Sequence, residues 1–301
     1  MVFLFTAVTS PFVVLFGPFN NVKRAVIGAI LQSRHPHYIT WLFNEDELQS
    51  TLGTVGVVKS QDLFKFNARE DKSLNLEKIQ SARYVGYILE IPDPRRIEVG
   101  TAANIQEKGD TTSNIAKMNN AVAAINGGGF HDPNGTGTGR LPYGFILHDG
   151  EYVIGKDVGP DEDVDFVGFS KSGNLIAGNY DKTELADMKA MEGITFGPPL
   201  IVDGKKMITD GDGGWGVGPR TAIGQRKDGT VLFVVIDGRQ PGYSLGATLR
   251  DVQDVLYEKG AYIAANLDGG SSSTLYLNGK VVNKPADLLG ERMIPTAFIV
   301  K

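Results

Sequence analysis

Three apolar runs in this chain end alike, in a polar side chain followed by glycine: Ile125-Asn126-Gly127-Gly128, Ile236-Asp237-Gly238-Arg239 and Leu267-Asp268-Gly269-Gly270. A carboxylate or amide at the carboxyl end of a strand faces the crevice where open sheets bind ligands, and the glycine lets the chain turn away. Asp-Gly is also an ordinary turn signal, as at Asp149, Asp203 and Asp228. Asp237 and Asp268 differ from these because fully apolar runs precede them and no hairpin partner follows. They are the candidate catalytic carboxylates.

Around them lie groups suited to an anion. Gly269-Gly270-Ser271-Ser272-Ser273-Thr274 is a loop of small residues whose backbone N–H groups and hydroxyls can cradle one. Arg220, in Gly218-Pro219-Arg220-Thr221, and Arg239 stand beside glycine or proline, and a guanidinium offers a planar fork matched to phosphate oxygens. The loop is not a Walker motif, since no Gly-Lys-Ser/Thr follows. Nor is it a serine-hydrolase elbow: position 273 is serine where glycine is required, and no histidine lies beyond His148. Asp210-Gly211-Asp212-Gly213-Gly214 lacks the spacing of a calcium loop and reads as a flexible turn. His131 and His148 have no second histidine at ligand spacing, and the chain has no cysteine, so no metal site or cofactor is expected.

The elements that position these residues follow from periodicity. Val231–Ile236 and Tyr262–Leu267 are apolar strands, and Leu249–Glu258 between them carries apolar residues at helical spacing. Together they read as a βαβ unit with parallel strands, which as neighbours would aim Asp237 and Asp268 into one cleft. Tyr84–Ile91, Val99–Ala102 and Ala121–Ile125 are further strands, and Thr112–Asn120 and Lys182–Met191 short helices. Turn dipeptides at Asp149-Gly150, Ser172-Gly173, Asp203-Gly204, Asp228-Gly229 and Asn278-Gly279 mark hairpins. The expected class is α+β (or α/β): a mixed sheet with hairpins, one βαβ unit and flanking helices around one core.

The chain has 301 residues, 42% hydrophobic and 22% charged, with a net charge of -5 and no basic stripe, so nucleic acid is not an expected partner. Residues 1–80 form an N-terminal segment and connecting region, and 81–301 the main domain. Val2–Phe16 is nearly all apolar, short of the roughly 20 residues of a spanning helix, and no basic region precedes it. One reading buries it in the main domain. The reading preferred is part of a signal anchor, with membrane association through residues 1–30 and a location outside the cell or attached to its membrane, although Lys23 and Arg24 lie on the wrong side for that orientation. Asn44 and Glu47 predict a capping box that opens a helix over 45–52.

Taken in order, Asn126-Gly127-Gly128-Gly129-Phe130, Gly218-Pro219-Arg220-Thr221-Ala222-Ile223-Gly224, Asp237-Gly238-Arg239-Gln240, Gly246-Ala247-Thr248-Leu249 and Asn266-Leu267-Asp268-Gly269-Gly270-Ser271-Ser272-Ser273-Thr274 resemble the phosphodiester glycosidase family, from about Arg83 to the C-terminus. Two positions depart: Gly129 stands where the family usually has an aromatic, and Ser271 where it usually has glycine. The resemblance implies cleavage of a sugar-1-phosphodiester to free sugar and phosphomonoester. It implies substrate or phosphate contacts from Asn126, Gly127, Gly128, Arg220, Arg239, Thr248, Gly269, Gly270, Ser271 and Ser272, with Asn126 on sugar hydroxyls. A phosphate leaving group needs charge stabilisation more than a strong general acid, which suits arginines and amides, while a carboxylate steadies, attacks or activates water toward the anomeric centre. Two other readings stay open: a metal-dependent phosphodiesterase holding Ca²⁺ or Mg²⁺ on the same aspartates, and a non-catalytic module for phosphorylated glycans.

Overall fold

The apolar runs come to lie at the centres of three antiparallel sheets. The computed structural model describes residues 9–10, 12–31, 37–44, 47–48, 58–60, 63–132, 137–155 and 158–301. The largest sheet has the spatial order β1 (Asn75–Gln80), β2 (Val85–Ile91), β13 (Val231–Ile236), β12 (Arg220–Arg226), β14 (Ala261–Leu267), β10 (Pro199–Val202), β11 (Lys205–Lys206). A second runs β16 (Lys280–Val281), β15 (Leu275–Leu277), β4 (Ala123–Asn126), β17 (Thr296–Val300), β3 (Ile97–Thr101). The third runs β6 (Glu151–Ile154), β5 (Ile146–His148), β9 (Ala190–Thr195), β7 (Val164–Ser170), β8 (Leu175–Tyr180). The helices are α1 (Asn20–Leu31), α2 (His37–Thr40), α3 (Thr112–Met118), α4 (Lys182–Asp187) and α5 (Leu249–Glu258). The class is α+β, as expected.

All three sheets face one core. Phe233 and Ile263 of the first, Ile125 and Phe298 of the second and Val167 and Ile194 of the third meet there, all buried. The opposite face of the large sheet is covered by α5, whose Leu249, Val252 and Leu256 pack on Ala222, Leu232, Val234 and Ala264. This explains why β13 and β14 are apolar without alternation: each is covered on both faces.

The βαβ reading needs correction. β13 and β14 do run in the same direction, but β12 lies between them, pairing Thr221 with Val235 on one side and with Leu267 on the other. The Asp228-Gly229 turn lays β12 beside β13 first, and α5 then carries the chain over both. A helix is about 10 Å across, the width of two strand spacings of about 4.8 Å, so the crossover fits a gap of one strand. Among the described residues every strand pair is antiparallel, so the sheets are not mixed.

The five hairpins form at the dipeptides the sequence marks. Asp149-Gly150, Asp203-Gly204 and Asn278-Gly279 have positive φ at both residues, the type I′ geometry that matches strand twist. The helix expected over 182–191 stops at Asp187, and Lys189, at φ 54°, turns the chain into β9. The expected boundary near residue 80 falls in the turn between β1 and β2. Residues 58–60 and 63–66 are also tied to the body: Asn174 Nδ2 donates to the Phe64 carbonyl at 2.6 Å and Tyr180 Oη to that of Ser60 at 2.9 Å.

The N-terminal helices form a small core of Leu15, Ile27, Ile39 and Phe43. Residues 12–16 are helical with Phe12, Val13 and Phe16 exposed, so this part of the apolar run is not buried in the main domain; residues 1–8 lie outside the described residues. No described helix is long and apolar enough to cross a membrane. The Asn44–Glu47 capping box forms through Glu47 N–H to Asn44 Oδ1 at 2.8 Å and Asn44 N–H to Glu47 Oε2 at 3.1 Å; most of the helix expected after it lies outside the described residues.

Gln225, on β12, is fully buried and fastens the third sheet to the first. Its Oε1 accepts from Leu175 N–H at 2.7 Å, and its Nε2 donates to the carbonyls of Gly173 and Gly229 at 2.7 and 3.1 Å. Replacing it with leucine strands three buried backbone groups. Gln225→Leu should lose about 3 kcal/mol or more of unfolding free energy in urea titration. A loss within experimental error would show that water reaches this junction.

Candidate active site

The ends of β4, β13 and β14 and the start of β12 meet at one edge of the core. Asn126 joins them. Its Nδ2 donates to the Asp268 carbonyl at 2.6 Å, while its Oδ1 accepts from Thr221 Oγ1 at 2.7 Å and Thr274 N–H at 3.1 Å. Asp268 N–H in turn donates to the Gly127 carbonyl at 3.0 Å. Asn126 is wholly buried and its carboxamide is engaged at both ends. It therefore positions Asp268, which corrects the expectation that it contacts sugar hydroxyls.

The glycines after Asn126 are required by close approach. A Cβ on Gly127 would lie 2.5 Å from Thr296 Oγ1, and Gly128 N–H donates to that hydroxyl at 3.1 Å. At Gly129 a Cβ would lie 2.7 Å from both the Phe196 and Tyr143 rings. Aromatic side chains from elsewhere in the chain thus occupy the space beside Gly129. Gly127 and Gly128 are both buried, packed against Thr296 and against Ile194 and Phe196.

The two aspartates have different surroundings. Asp237 is buried and fully engaged: Oδ1 accepts from Asn283 Nδ2 at 3.0 Å and Lys284 N–H at 2.9 Å, and Oδ2 from Tyr243 Oη at 2.9 Å. Burial pushes its carboxyl above the usual range, opposed by these three donors. Asn283 passes the connection on, donating to the Ser273 carbonyl at 3.0 Å and accepting from Leu275 N–H at 2.8 Å. Asp237 is thus a clamp between two loops, and its expected catalytic role does not fit this geometry. Asp268 is partly open to solvent. Desolvation pushes its carboxyl up to about 6, restrained by the Ser272 hydroxyl, the Arg292 charge, Gly269 N–H and the Arg239 charge. Ser272 Oγ is buried with no hydrogen bond of proper geometry, as is Ser273 Oγ.

The arginines also divide. Arg220 is buried, with Nε donating to the Ala247 carbonyl at 3.0 Å and Nη2 to those of Trp215 and Gly216 at 2.7 and 2.6 Å. Its Nη1 is left beside Gly269. Burial, and then the Arg239 charge, push its pKa down to about 10. Arg239 lies across Gly218 and Gly270, where a Cβ on Gly270 would stand 3.3 Å from Nη1. Its backbone N–H donates to the Leu245 carbonyl at 3.1 Å, but among the described residues its guanidinium makes no hydrogen bond or ion pair. Desolvation and the Arg292 charge lower its pKa, and Asp268 opposes them.

Sequence reasoning missed Arg292. Its Nη2 bonds Asp132 Oδ2 at 3.0 Å, its guanidinium carbon lies 4.7 Å over the Phe130 ring, and its Nε is buried without a partner. Tyr143, whose hydroxyl is raised by desolvation and by the Asp268 charge, was missed too. Neither residue stands in a motif, and only its distance from Asp268 in space identifies it. Thr248, expected on substrate, is the N-cap of α5 in a capping box with Asp251. The expected cradle of free amides is partly closed: Gly270 N–H donates to the Pro219 carbonyl at 2.9 Å, Ser272 N–H to Gly269 at 3.2 Å and Ser273 N–H to Gly270 at 3.3 Å. What remains is the half-buried Asp268, which the charges of Arg292 and Arg239 reach, the guanidiniums of Arg220 and Arg239 beside Gly269 and Gly270, and the buried hydroxyls of Ser272 and Ser273. Such a set can hold an anion against a centre that develops positive charge.

Comparison with known proteins agrees with this chemistry. The family model described as phosphodiester glycosidase matches residues 119–301. The SPbeta prophage-derived uncharacterized protein YomE of Bacillus subtilis (strain 168) is 30% identical over 197 residues, covering 63% of this chain and 29% of that protein. N-acetylglucosamine-1-phosphodiester alpha-N-acetylglucosaminidase of Bos taurus is 24% identical over 233 residues, covering 69% of this chain and 42% of that enzyme. The chain thus spans less than half the length of these curated relatives. The zebrafish N-acetylglucosamine-1-phosphodiester alpha-N-acetylglucosaminidase catalytic domain, auto-inhibited by its pro-peptide, shares the fold. Its TM-score is 0.65 at 23% identity, over 78% of this chain and 86% of that one.

The assignment of Asp237 as a clamp makes a stability prediction. In Asp237→Asn an amide NH₂ faces one of the three donors, so the variant should lose about 2 kcal/mol or more. It should melt earlier by calorimetry while its folded fraction keeps near-parental turnover. A normal melting temperature with turnover reduced by orders of magnitude would return Asp237 to the chemistry.

Proposed function

This chain belongs to the phosphodiester glycosidase family, and on that premise we propose that its cleft hydrolyses the glycosidic bond of a sugar-1-phosphodiester. The observation that carries the reading is that Arg220 Nη1 and Arg239 Nη1 lie beside Gly269 and Gly270, 3.6 and 3.3 Å from where a Cβ on each would stand, directly after the half-buried Asp268. The C1–O bond breaks with its electron pair staying on the phosphate oxygen. The diester monoanion then departs as a phosphomonoester that carries one more negative charge. Arg239 and the Nη1 of Arg220 face that added charge, with Arg292 steadying both it and Asp268. Water supplies hydroxyl to C1, and its proton goes to the phosphomonoester or to solvent. Asp268 acts as the carboxylate, stabilising or attacking the anomeric carbon. Desolvation, which raises its pKa, also strengthens its interaction with a developing cation.

The direct test is hydrolysis of a glycosyl-phosphodiester in ¹⁸O water. The label should appear in the sugar. Label in the phosphate would mean P–O cleavage and would sink the reading, as would activity abolished by a chelator and restored by a divalent cation.

Asp268 also sets a pH dependence. Its ionised form is the active one, so kcat/KM should rise as pH rises through about 6. Asp268→Asn should lose turnover by about 10³-fold or more with a small change in binding. Stability should move the other way. A carboxyl raised in the folded state makes folding less favourable as pH climbs from 4 past 6, so Asp268→Asn should gain stability relative to the parent over that window. A rate that falls through pH 6 would make Asp268 a general acid instead.

Arg239→Ala should weaken phosphate-bearing ligands by at least about tenfold more than the neutral sugar, measured calorimetrically, with lysine a poor substitute for the fork. Arg220→Ala should instead cost stability as well as affinity, because three carbonyls lose their donor. Equal losses for charged and neutral ligands in Arg239→Ala would make that residue structural.

A further inference from the structure

Residues 12–31 and 37–43 carry a face that the proposed chemistry does not use. Phe12, Phe16, Phe19 and Trp41 are 63%, 57%, 51% and 77% exposed, and Val13 and Val22 are exposed beside them. Phe12 and Phe16 stack with centroids 6.4 Å apart, Phe16 stacks on Phe43 at 5.5 Å, and Lys23 Nζ sits 5.0 Å over the Phe43 ring. The helices need none of this outer surface to fold. Their inner sides already bury Leu15, Ile27, Ile39 and Phe43, and α1 seats Gly28 so closely on the 214–216 backbone that a Cβ would lie 2.6 Å from Gly216 N. Clustered exposed aromatics of this kind mark an interaction surface.

Charge identifies the occupant. Before Glu45 the sequence has three basic side chains, Lys23, Arg24 and Arg34, and no acidic one, in a chain whose net charge is -5. Arg24 lines a pocket with Asp210, Asp212 and Arg250, which among the described residues of this segment leaves Lys23, half-buried over the Phe43 ring beside Phe16, as the cation of this face. A symmetric pair of copies would set this face, whose own segment has no acidic side chain, against itself and give Lys23 no counter-charge. An anionic bilayer offers phosphates to the lysine and an acyl boundary to phenylalanine and tryptophan.

We infer that the exposed face of residues 12–31 and 37–43 forms an interfacial docking surface for an anionic lipid bilayer, with Phe12, Phe16, Phe19 and Trp41 entering the headgroup–acyl boundary and Lys23 among the phosphates. The helices lie in the plane of the membrane surface. This is peripheral attachment, and none of the described helices has to span. Because α1 rests on the Gly214–Gly216 backbone, whose carbonyl oxygens at Trp215 and Gly216 bind Arg220, the docked face and the cleft are parts of one packed body.

The test is flotation of the full chain with phosphatidylcholine vesicles, with and without phosphatidylglycerol. The chain should float with the anionic vesicles, and added salt should reduce the bound fraction. Phe16→Ser combined with Trp41→Ser should lower partitioning by about tenfold or more, since each ring contributes more than about 1.4 kcal/mol when buried in the acyl boundary. Lys23→Glu should weaken binding to anionic vesicles selectively. Phe16 and Trp41 are exposed and Lys23 is half-buried, and circular dichroism of each variant should match the parent. Failure of the parent to float would overturn the inference, as would flotation that the double variant leaves unchanged. A dimer in light scattering that the double variant disperses, without vesicle binding, would assign the face to a second copy and also overturn it.

Discussion

The carboxamide of Asn126 is the junction on which the cleft depends. It is wholly buried between two sheets, donates to the Asp268 carbonyl and accepts from Thr221 and Thr274. An amide is suited to this place because it donates and accepts at once, so it satisfies a strand-end carbonyl and a loop N–H together. A carboxylate there could donate nothing, and an apolar residue would leave those backbone groups unpaired in the core. Everything around the site is arranged from this contact outward. The glycines that follow let the strand pass against Thr296, and Asp268 leaves β14 at a fixed height above Gly127.

From that junction the polar groups separate into those that hold and those that remain available. Asp237, Thr248, most of Arg220 and three loop amides are engaged with the protein itself. Asp268, Arg239, the Nε of Arg292 and the hydroxyls of Ser272 and Ser273 are not satisfied in the same way. Unsatisfied polar groups are costly in a packed interior, and they persist where a ligand completes them. Arg239, whose pKa is lowered by desolvation and by the Arg292 charge and opposed only by Asp268, is in that condition. A phosphate would relieve its repulsion from Arg292.

The N-terminal helices extend the same body. Gly28 against the 214–216 backbone joins them to the loop that grips Arg220, and two carbonyls of that loop with that of Ala247 fix the buried cation by three hydrogen bonds rather than by a counter-charge. A buried guanidinium held by carbonyls keeps its positive charge available to the cleft, where a carboxylate partner would have neutralised it.

Local chemistry alone determined much of this protein. The apolar runs, the five turn dipeptides, the α5 helix and its cap, and the polar-then-glycine strand ends follow from propensity, periodicity and backbone sterics, which act over a few residues. The motif order carried the family as well. What only the tertiary structure decided was which of the similar-looking groups remain free. Asp237 and Asp268 end their strands in the same way, yet Asn283, Lys284 and Tyr243 arrive only at Asp237. Arg220 and Arg239 both stand beside glycine or proline, but carbonyls enclose only the first. Arg292 has no motif and reaches the site from the turn before β17. The Asp228-Gly229 turn marked β12 as the partner of β13, but its insertion between β13 and β14 was hidden, because the side of β13 on which it pairs and the width of the crossover helix leave no mark on either strand. A residue's type and spacing say what it can do. Which partners surround it depends on contacts more than a hundred residues apart in the chain, such as Asn126 with Asp268, and those exist only once the sheets have packed.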